Sequence, residues 1–252
     1  MGFKSKRFFV FLSSLVNLTD MASYKLIPYG ISDFAQVRRE DKYYVDKTMY
    51  LPKMEAAGNF LFLIRPRRFG KSLFLSMMRC YYDILEKDNF HNLFSGLWIE
   101  NHPTTLMGTF QVLYMDFSQV GGDMNNLFDR FNSRIGAVLD DFAYRYERFY
   151  YDGFAADVEK KSDFRSKLDH ITLLAKRKGI RLYLIVDEYD NFTNTVLNVA
   201  GEEVYHAMTH AEGFYRDVFK LFKPNFDRIL MMGVSPVTMD DVTSGYNIAT
   251  SL

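Results

Sequence analysis

Phe60-Leu61-Phe62-Leu63-Ile64 runs straight into Arg65-Pro66-Arg67-Arg68-Phe69-Gly70-Lys71-Ser72, and Leu73-Phe74-Leu75-Ser76-Met77-Met78 follows at once. The first five residues are a continuous apolar run of strand length, the pattern of a strand buried on both faces. From Ser72 to Asp83 the apolar residues recur at helical spacing. A buried strand, a short loop ending in Gly-Lys-Ser and an amphipathic helix are the context in which G-x-x-x-x-G-K-[ST] acts as a phosphate loop. Gly70 permits the tight backbone turn, Lys71 reaches the β- and γ-phosphates, and Ser72 is placed to ligate Mg2+. The helix start adds free N–H groups and a positive dipole end. The first glycine of the pattern is replaced by Arg65, a departure. Gly-Lys-Ser/Thr alone arises by chance in roughly a tenth of chains this long, so its weight rests on context and on a partner downstream.

That partner is Leu182-Tyr183-Leu184-Ile185-Val186-Asp187-Glu188, a second buried run that delivers two carboxylates. Asp187 is expected to hold Mg2+, usually through water, and Glu188 to be the general base that polarises the attacking water. Small-molecule kinases and GTPases need no base there, whereas ATP hydrolases of the additional-strand class do. The guanine-reading motif N-K-x-D is absent from the sequence. ATP is therefore expected over GTP, and hydrolysis over phosphoryl transfer to a metabolite. Asp190 has two readings, a group orienting its neighbours or a helix-start acid complementing the dipole, and the second is favoured.

Outward from these motifs the chain alternates strand and helix patterns. Val112–Phe117 reads as a strand ending beside Asp116 and Ser118, and Arg228–Val234 as a fourth strand leading into Ser235. Helical stretches are predicted over Met124–Arg148, Val158–Lys178 and Gly201–Phe222. This alternation implies a parallel sheet sandwiched by helices. Ligands sit at the carboxyl ends of such strands, where every polar signature noted here falls. Ser235 either senses the γ-phosphate or caps the turn before Pro236. Thr238, Asp240 and Asp241 read as a helix cap and first-turn acids. Arg65, Arg67 and Arg68 either bring charge to the phosphates or pair with local carboxylates and solvent.

Composition sets the limits. The 252 residues are 48% hydrophobic with a formal net charge of zero. A sizeable core forms, and no global field draws the chain to nucleic acid or membrane. The only compact basic runs, KSKRFF near the start and Lys176–Arg181, are of the kind usually found as solvated faces. The single cysteine, Cys80, excludes a disulfide framework and reads as a small core residue in a reducing compartment. Lys4, Lys6 and Arg7 before the run Phe8 to Val16 resemble a short leader. Ser13 and Ser14 interrupt it, and Met21 opens an ordinary soluble start, so an over-extended N-terminus over residues 1–20 is favoured and a cytoplasmic setting expected. No other stretch approaches the roughly 20 apolar residues that span a bilayer.

YGISDF (Tyr29–Phe34), YYVDKT (Tyr43–Thr48), RPRRFGKSL, VDEYD and GVSPVTMDDVTSGYNI (Gly233–Ile248) together resemble the bacterial predicted AAA-ATPase (AAA-ATPase-like) family, over roughly residues 25 to 250. The resemblance implies an α/β, P-loop NTPase-type fold of the additional-strand, AAA-like kind. An N-terminal segment would occupy 21–58 and the ATPase core 59–252. RPRRFGKS is the family's usual loop, so Arg65 is a family trait. Arg65, Pro66, Arg67, Arg68, Phe69, Gly70, Lys71, Ser72 and Leu73 would cradle ATP, Ser72 and Asp187 would hold Mg2+, and Glu188, Lys71 and Ser235 would serve catalysis. Tyr44, Asp46 and Lys47 would line the base side.

Family members typically continue into a C-terminal region resembling a PD-(D/E)XK nuclease. The resemblance thus implies a chain truncated at its C-terminus, lacking that region, a last core strand and a helical lid. The leading expectation is an Mg-dependent ATPase module that drives or gates a partner activity. The partner would be a nuclease-like domain or a separate subunit. Alternatives are a nucleotide-binding or degenerate regulatory module without turnover, and the ATPase part of a nucleic-acid machine. AAA-type relatives often set one subunit's arginine against another's γ-phosphate, which makes an oligomer compatible with this chain without naming that arginine.

Overall fold

The computed structural model describes residues 24–118, 127–209, 214–234 and 250–251. Residues 1–20, Ser235, Thr238, Asp240 and Asp241 lie outside them. Strands β1 (Phe60–Ile64), β2 (Gln111–Asp116), β3 (Leu182–Asp187), β4 (Arg228–Gly233) and β5 (Thr250–Ser251) form one parallel sheet in the order β2-β3-β4-β1-β5. The strand preceding the loop is thus separated from the strand carrying Asp187 by β4, which is the additional-strand arrangement. The fold is the α/β, P-loop NTPase-type sheet that the motifs predict. The family resemblance implies that a last core strand is lacking. The structure corrects this, because Thr250–Ser251 pairs with Leu61 and Phe62 on the free side of β1.

The pleat sorts the core into two layers. Leu61, Leu63, Val112, Tyr183, Ile185, Leu230 and Met232 face one side, covered by α1 (Phe34–Arg39), α2 (Leu51–Ala57), α3 (Lys71–Tyr82) and α4 (Phe90–Phe94). Phe62, Leu113, Met115, Leu182, Leu184, Val186, Ile229 and Met231 face the other. There they meet α5 (Leu127–Tyr146), α6 (Phe154–Glu159), α7 (Phe164–Lys178), α8 (Asn191–Ala200), α9 (Glu202–Thr209) and α10 (Phe214–Phe222). Continuous apolar runs in β1 and β3 follow from burial on both faces. Cys80 is buried on α3, and burial pushes its thiol up to about 12, so it is the inert core residue expected.

Two helical expectations change. The stretch Val158–Lys178 breaks because Asp163 caps α7, its carboxylate accepting from Ser166 N at 2.9 Å. Helix α8 is new. Its Asn- and Thr-rich sequence is a poor helix former, yet Phe192 and Val196 are buried one turn apart. Thr193 and Thr195 spend their hydroxyls on the carbonyls of Asp190 and Asn191.

One buried charge ties α3 to α5. Asp83 is fully buried and accepts from Leu85 N (2.9 Å), Tyr146 OH (2.8 Å) and Arg145 Nη2 (2.8 Å). Burial pushes its carboxyl pKa up, against the pull of those three donors. Asp83→Ala leaves all three without that acceptor. It is expected to cost about 3 kcal/mol, seen as a lower urea midpoint at unchanged slope. Asp83→Asn, which keeps an accepting oxygen, is expected to cost less.

Candidate nucleotide-binding site

The loop between β1 and α3 is built from two backbone constraints. Arg65 N donates to Gly233 O at 3.1 Å, extending the β1–β4 ladder by one residue. A side chain is therefore tolerated where the usual pattern has glycine. Arg68 and Gly70 take the left-handed region instead, with φ of 68° and 72°. Gly70 also has Lys47 Nζ 3.6 Å from where its Cβ would stand. Gly70 is the N-cap of α3, and the first helical bond runs from Phe74 N to Gly70 O at 3.0 Å. Leu73 packs partly into the core in the first turn.

Lys71 is buried, and its Nζ spans the loop to Pro66 O at 3.2 Å. Ser72 Oγ donates to Asp187 Oδ2 at 2.7 Å, so the fold brings the two predicted metal ligands together across 115 residues of sequence. Arg65, Arg67, Arg68 and Phe69 are exposed. Among the described residues the three arginines form no ion pair, which removes the local-carboxylate reading and leaves them free to meet solvent or phosphate.

Residues Asp116 and Asp187 are register partners on adjacent strands. Burial pushes the Asp187 carboxyl pKa up, Ser72 and Tyr114 pull it down, and Asp116 adds an upward push. Glu188 is half-buried and shifted the same way, by burial first and then by the charges of Asp187 and Asp116. Lys71 opposes the shift. Glu188 holds φ at 51°, a left-handed conformation uncommon outside glycine. It is held there by bonds from its N–H to Asp187 Oδ1 (3.0 Å) and from Asn191 N to its carbonyl (2.9 Å).

Tyr114 was not singled out by the sequence. Its hydroxyl donates to Asp187 Oδ2 at 3.2 Å. The only signal was a hydroxyl among the apolar residues Val112, Leu113 and Met115 of that strand. Because Tyr114 pairs with Ile185, two residues before Asp187, the pleat puts its side chain on the same face as that carboxylate.

Asp190 sits at the N-cap of α8, the helix-start position favoured for it, and makes no side-chain capping bond there. Its buried carboxylate accepts from Val234 N at 3.0 Å, clamping the ends of β3 and β4 together. A Cβ on Gly233 would come within 2.5 Å of both Asp190 Oδ1 and the Tyr189 ring. Gly233→Ala is therefore expected to cost about 1–3 kcal/mol in chemical denaturation, by forcing that clamp apart.

A cleft of about 390 Å3 opens beside the loop, lined by Lys47, Tyr50, Lys53, Met54, Phe69 and Phe74 among others. Of the three residues expected on the base side, Lys47 is there, with Nζ 3.4 Å from Phe69 O. Asp46 is not. Its oxygens accept from Thr48 N, Thr48 Oγ1 and Trp98 N, so it is spent on folding its own turn. Tyr44 instead packs edge-on to Phe34, its buried hydroxyl without a hydrogen-bond partner among the described residues. Tyr50 and Lys53, which the motifs did not mark, line the cleft with Lys47.

Ser72 and Asp187 supply the hard oxygen donors that suit Mg2+, and the helix start with Lys71 suits a polyphosphate. Among the described residues no group of three or more His, Cys, Asp or Glu side chains is arranged to hold a metal. Among the same residues no helix is long and apolar enough to cross a membrane.

Comparison with known proteins places the chain. A stretch of 89 residues is 42% identical to an uncharacterized protein in the vnfD 5′ region of Azotobacter chroococcum mcd 1, covering 32% of this chain and 16% of that one. The Aeropyrum pernix ORC2 protein, solved as ADPNP and ADP complexes, aligns over 90% of this chain and 49% of its own, at 12% identity and a TM-score of 0.36. That likeness is too loose to carry an argument. The chain thus spans about half of that structure and a sixth of that relative. The family described as Predicted AAA-ATPase matches residues 28–243, from before α1 to past β4, and the chain belongs to that family.

Proposed function

We propose that this P-loop ATPase-like module binds ATP with Mg2+ and hydrolyses it, with the resulting motion driving or gating a partner activity in the cytoplasm. The observation that carries the reading is the 2.7 Å contact between Ser72 Oγ and Asp187 Oδ2 at the mouth of the loop. A loop hydroxyl, a buried lysine at a helix start and two strand-end carboxylates are the parts that phosphate and metal binding require. Loop N–H groups from Arg67 to Leu73 and the Lys71 ammonium would bind the phosphates, and the cleft by Tyr50, Met54 and Phe74 offers room for the base.

Ser72 and Asp187 would hold Mg2+, which neutralises charge on the β- and γ-oxygens. Glu188 would take the proton from the attacking water, its raised pKa bringing its basicity closer to the task. Lys71 would stabilise charge as it develops on the γ-phosphate. Ser235 is proposed as the γ-phosphate sensor from its place after β4. Calorimetric titration with Mg-ATP is expected to show saturable one-to-one binding, tighter than for GTP. No heat at millimolar ATP would contradict the reading.

Tyr114→Phe removes one of the three donors to Asp187, beside Ser72 Oγ and Glu188 N, and nothing else of the site. It is expected to raise the Mg2+ needed for half-maximal ATP binding about fivefold, the worth of one hydrogen bond of roughly 1 kcal/mol. An unchanged Mg2+ requirement would mean that Tyr114 only packs.

A further inference from the structure

The sheet ends at β2, and the described residues do not fully cover its outer edge. A notch of about 290 Å3 opens there between α3 and α5, lined by Arg79 from α3, by Arg134, Val138, Asp141 and Arg145 from α5, and by Tyr114 at its floor. The pleat fixes which backbone groups reach it. Gln111 N donates to Arg181 O and Phe117 N to Asp187 O, so the odd-numbered residues of β2 turn toward β3. Val112 and Tyr114 therefore turn their peptide groups outward. Tyr146 OH sits 2.9 Å from Val112 N and closes that position. At Tyr114, one step on, the outward N–H and C=O have no partner among the described residues.

The charges around the notch are unbalanced. Arg145 is spent on buried Asp83. Arg79 and Arg134 form no ion pair among the described residues, and Arg79 lies over the Tyr114 ring at 6.0 Å. The remaining carboxylate in the lining is Asp141. An open strand edge takes an extended chain, and the surplus arginines take carboxylates. Successive side chains of an added strand point to opposite faces of the sheet. One would meet Arg79 on the α3 face and the next Arg134 on the α5 face.

The geometry points to a docking site for an extended segment of a partner protein, carrying two adjacent acidic residues, that pairs with β2 at Tyr114. The site lies outside the nucleotide loop and depends on no property of it. It touches the loop's chemistry only at Tyr114, whose hydroxyl reaches Asp187.

The test uses fluorescence anisotropy with a labelled, end-blocked peptide Thr-Val-Glu-Glu-Val-Thr. Two control peptides replace both Glu by Lys, or both Val by Pro. The full chain is compared with Arg79→Gln/Arg134→Gln and with Arg177→Gln/Lys178→Gln, which removes equal charge from the end of α7. The acidic peptide is expected to bind the wild type and the α7 variant alike, and the groove variant about tenfold more weakly. The Pro peptide, which keeps the charges but loses backbone donors, is expected to bind as weakly as that variant allows. Three results would overturn the assignment. They are no binding up to about 1 mM, equal loss in both variants, or equal binding of the Glu and Pro peptides. Should the double variant not fold, Arg134→Gln alone, on the exposed side of α5, decides the same question at about threefold.

Discussion

Glu188→Gln is expected to bind ATP as tightly as the wild type while turning it over about a hundred- to ten-thousandfold more slowly, the range that loss of a general base produces. The carboxylate is half-buried beside Asp187 and Asp116, and both charges together with burial raise its affinity for a proton. The amide has the same shape and accepts no proton. It also relieves repulsion among three clustered carboxylates, so folding is not expected to suffer. The backbone there is held in an uncommon left-handed conformation by its neighbours, so the exchange leaves the side chain's position intact. Rapid-quench single turnovers with Mg-ATP read the chemical step directly. A variant that cleaves at the wild-type rate would remove Glu188 from the role.

The second large effect is expected at Lys71. Lys71→Ala should weaken ATP binding about a hundredfold, the worth of a charge-assisted contact of roughly 3 kcal/mol to phosphate. Lys71 is buried, and among the described residues Pro66 O is its ammonium's hydrogen-bond partner. Its positive charge also opposes the upward shift of Glu188. Its loss leaves Asp116, Asp187 and Glu188 facing the phosphates with less positive charge between them. Calorimetry on folded variant and wild type measures the ratio, and an unchanged affinity would place the nucleotide elsewhere or nowhere.

Much of this was written locally in the chain. β1, the loop, α3 and β3 were legible because strands buried on both faces read as unbroken apolar runs, and because Gly70-Lys71-Ser72 and Asp187-Glu188 follow them directly. Ser72 and Asp187 were legible as a pair for the same reason. Helix α8 was hidden because its Asn and Thr residues argue against a helix, and burial of Phe192 and Val196 overrides that preference. Tyr114 and Asp190 were hidden more deeply. Their partners, Asp187 Oδ2 and Val234 N, lie across a strand register that no local pattern states. Asp46 misled for the opposite reason. Its acid within YYVDKT is consumed by a turn at Thr48 and by Trp98. Strand β5 is only two residues long, too short to show a period.

The most direct test is phosphate release from Mg-ATP at steady state by the wild-type chain beside Lys71→Ala. Turnover in the wild type that disappears in the variant is the predicted result. It would tie hydrolysis to the loop where Ser72 meets Asp187. Equal release from both proteins, or tight ATP binding by the wild type with no release at all, would contradict hydrolysis by this site.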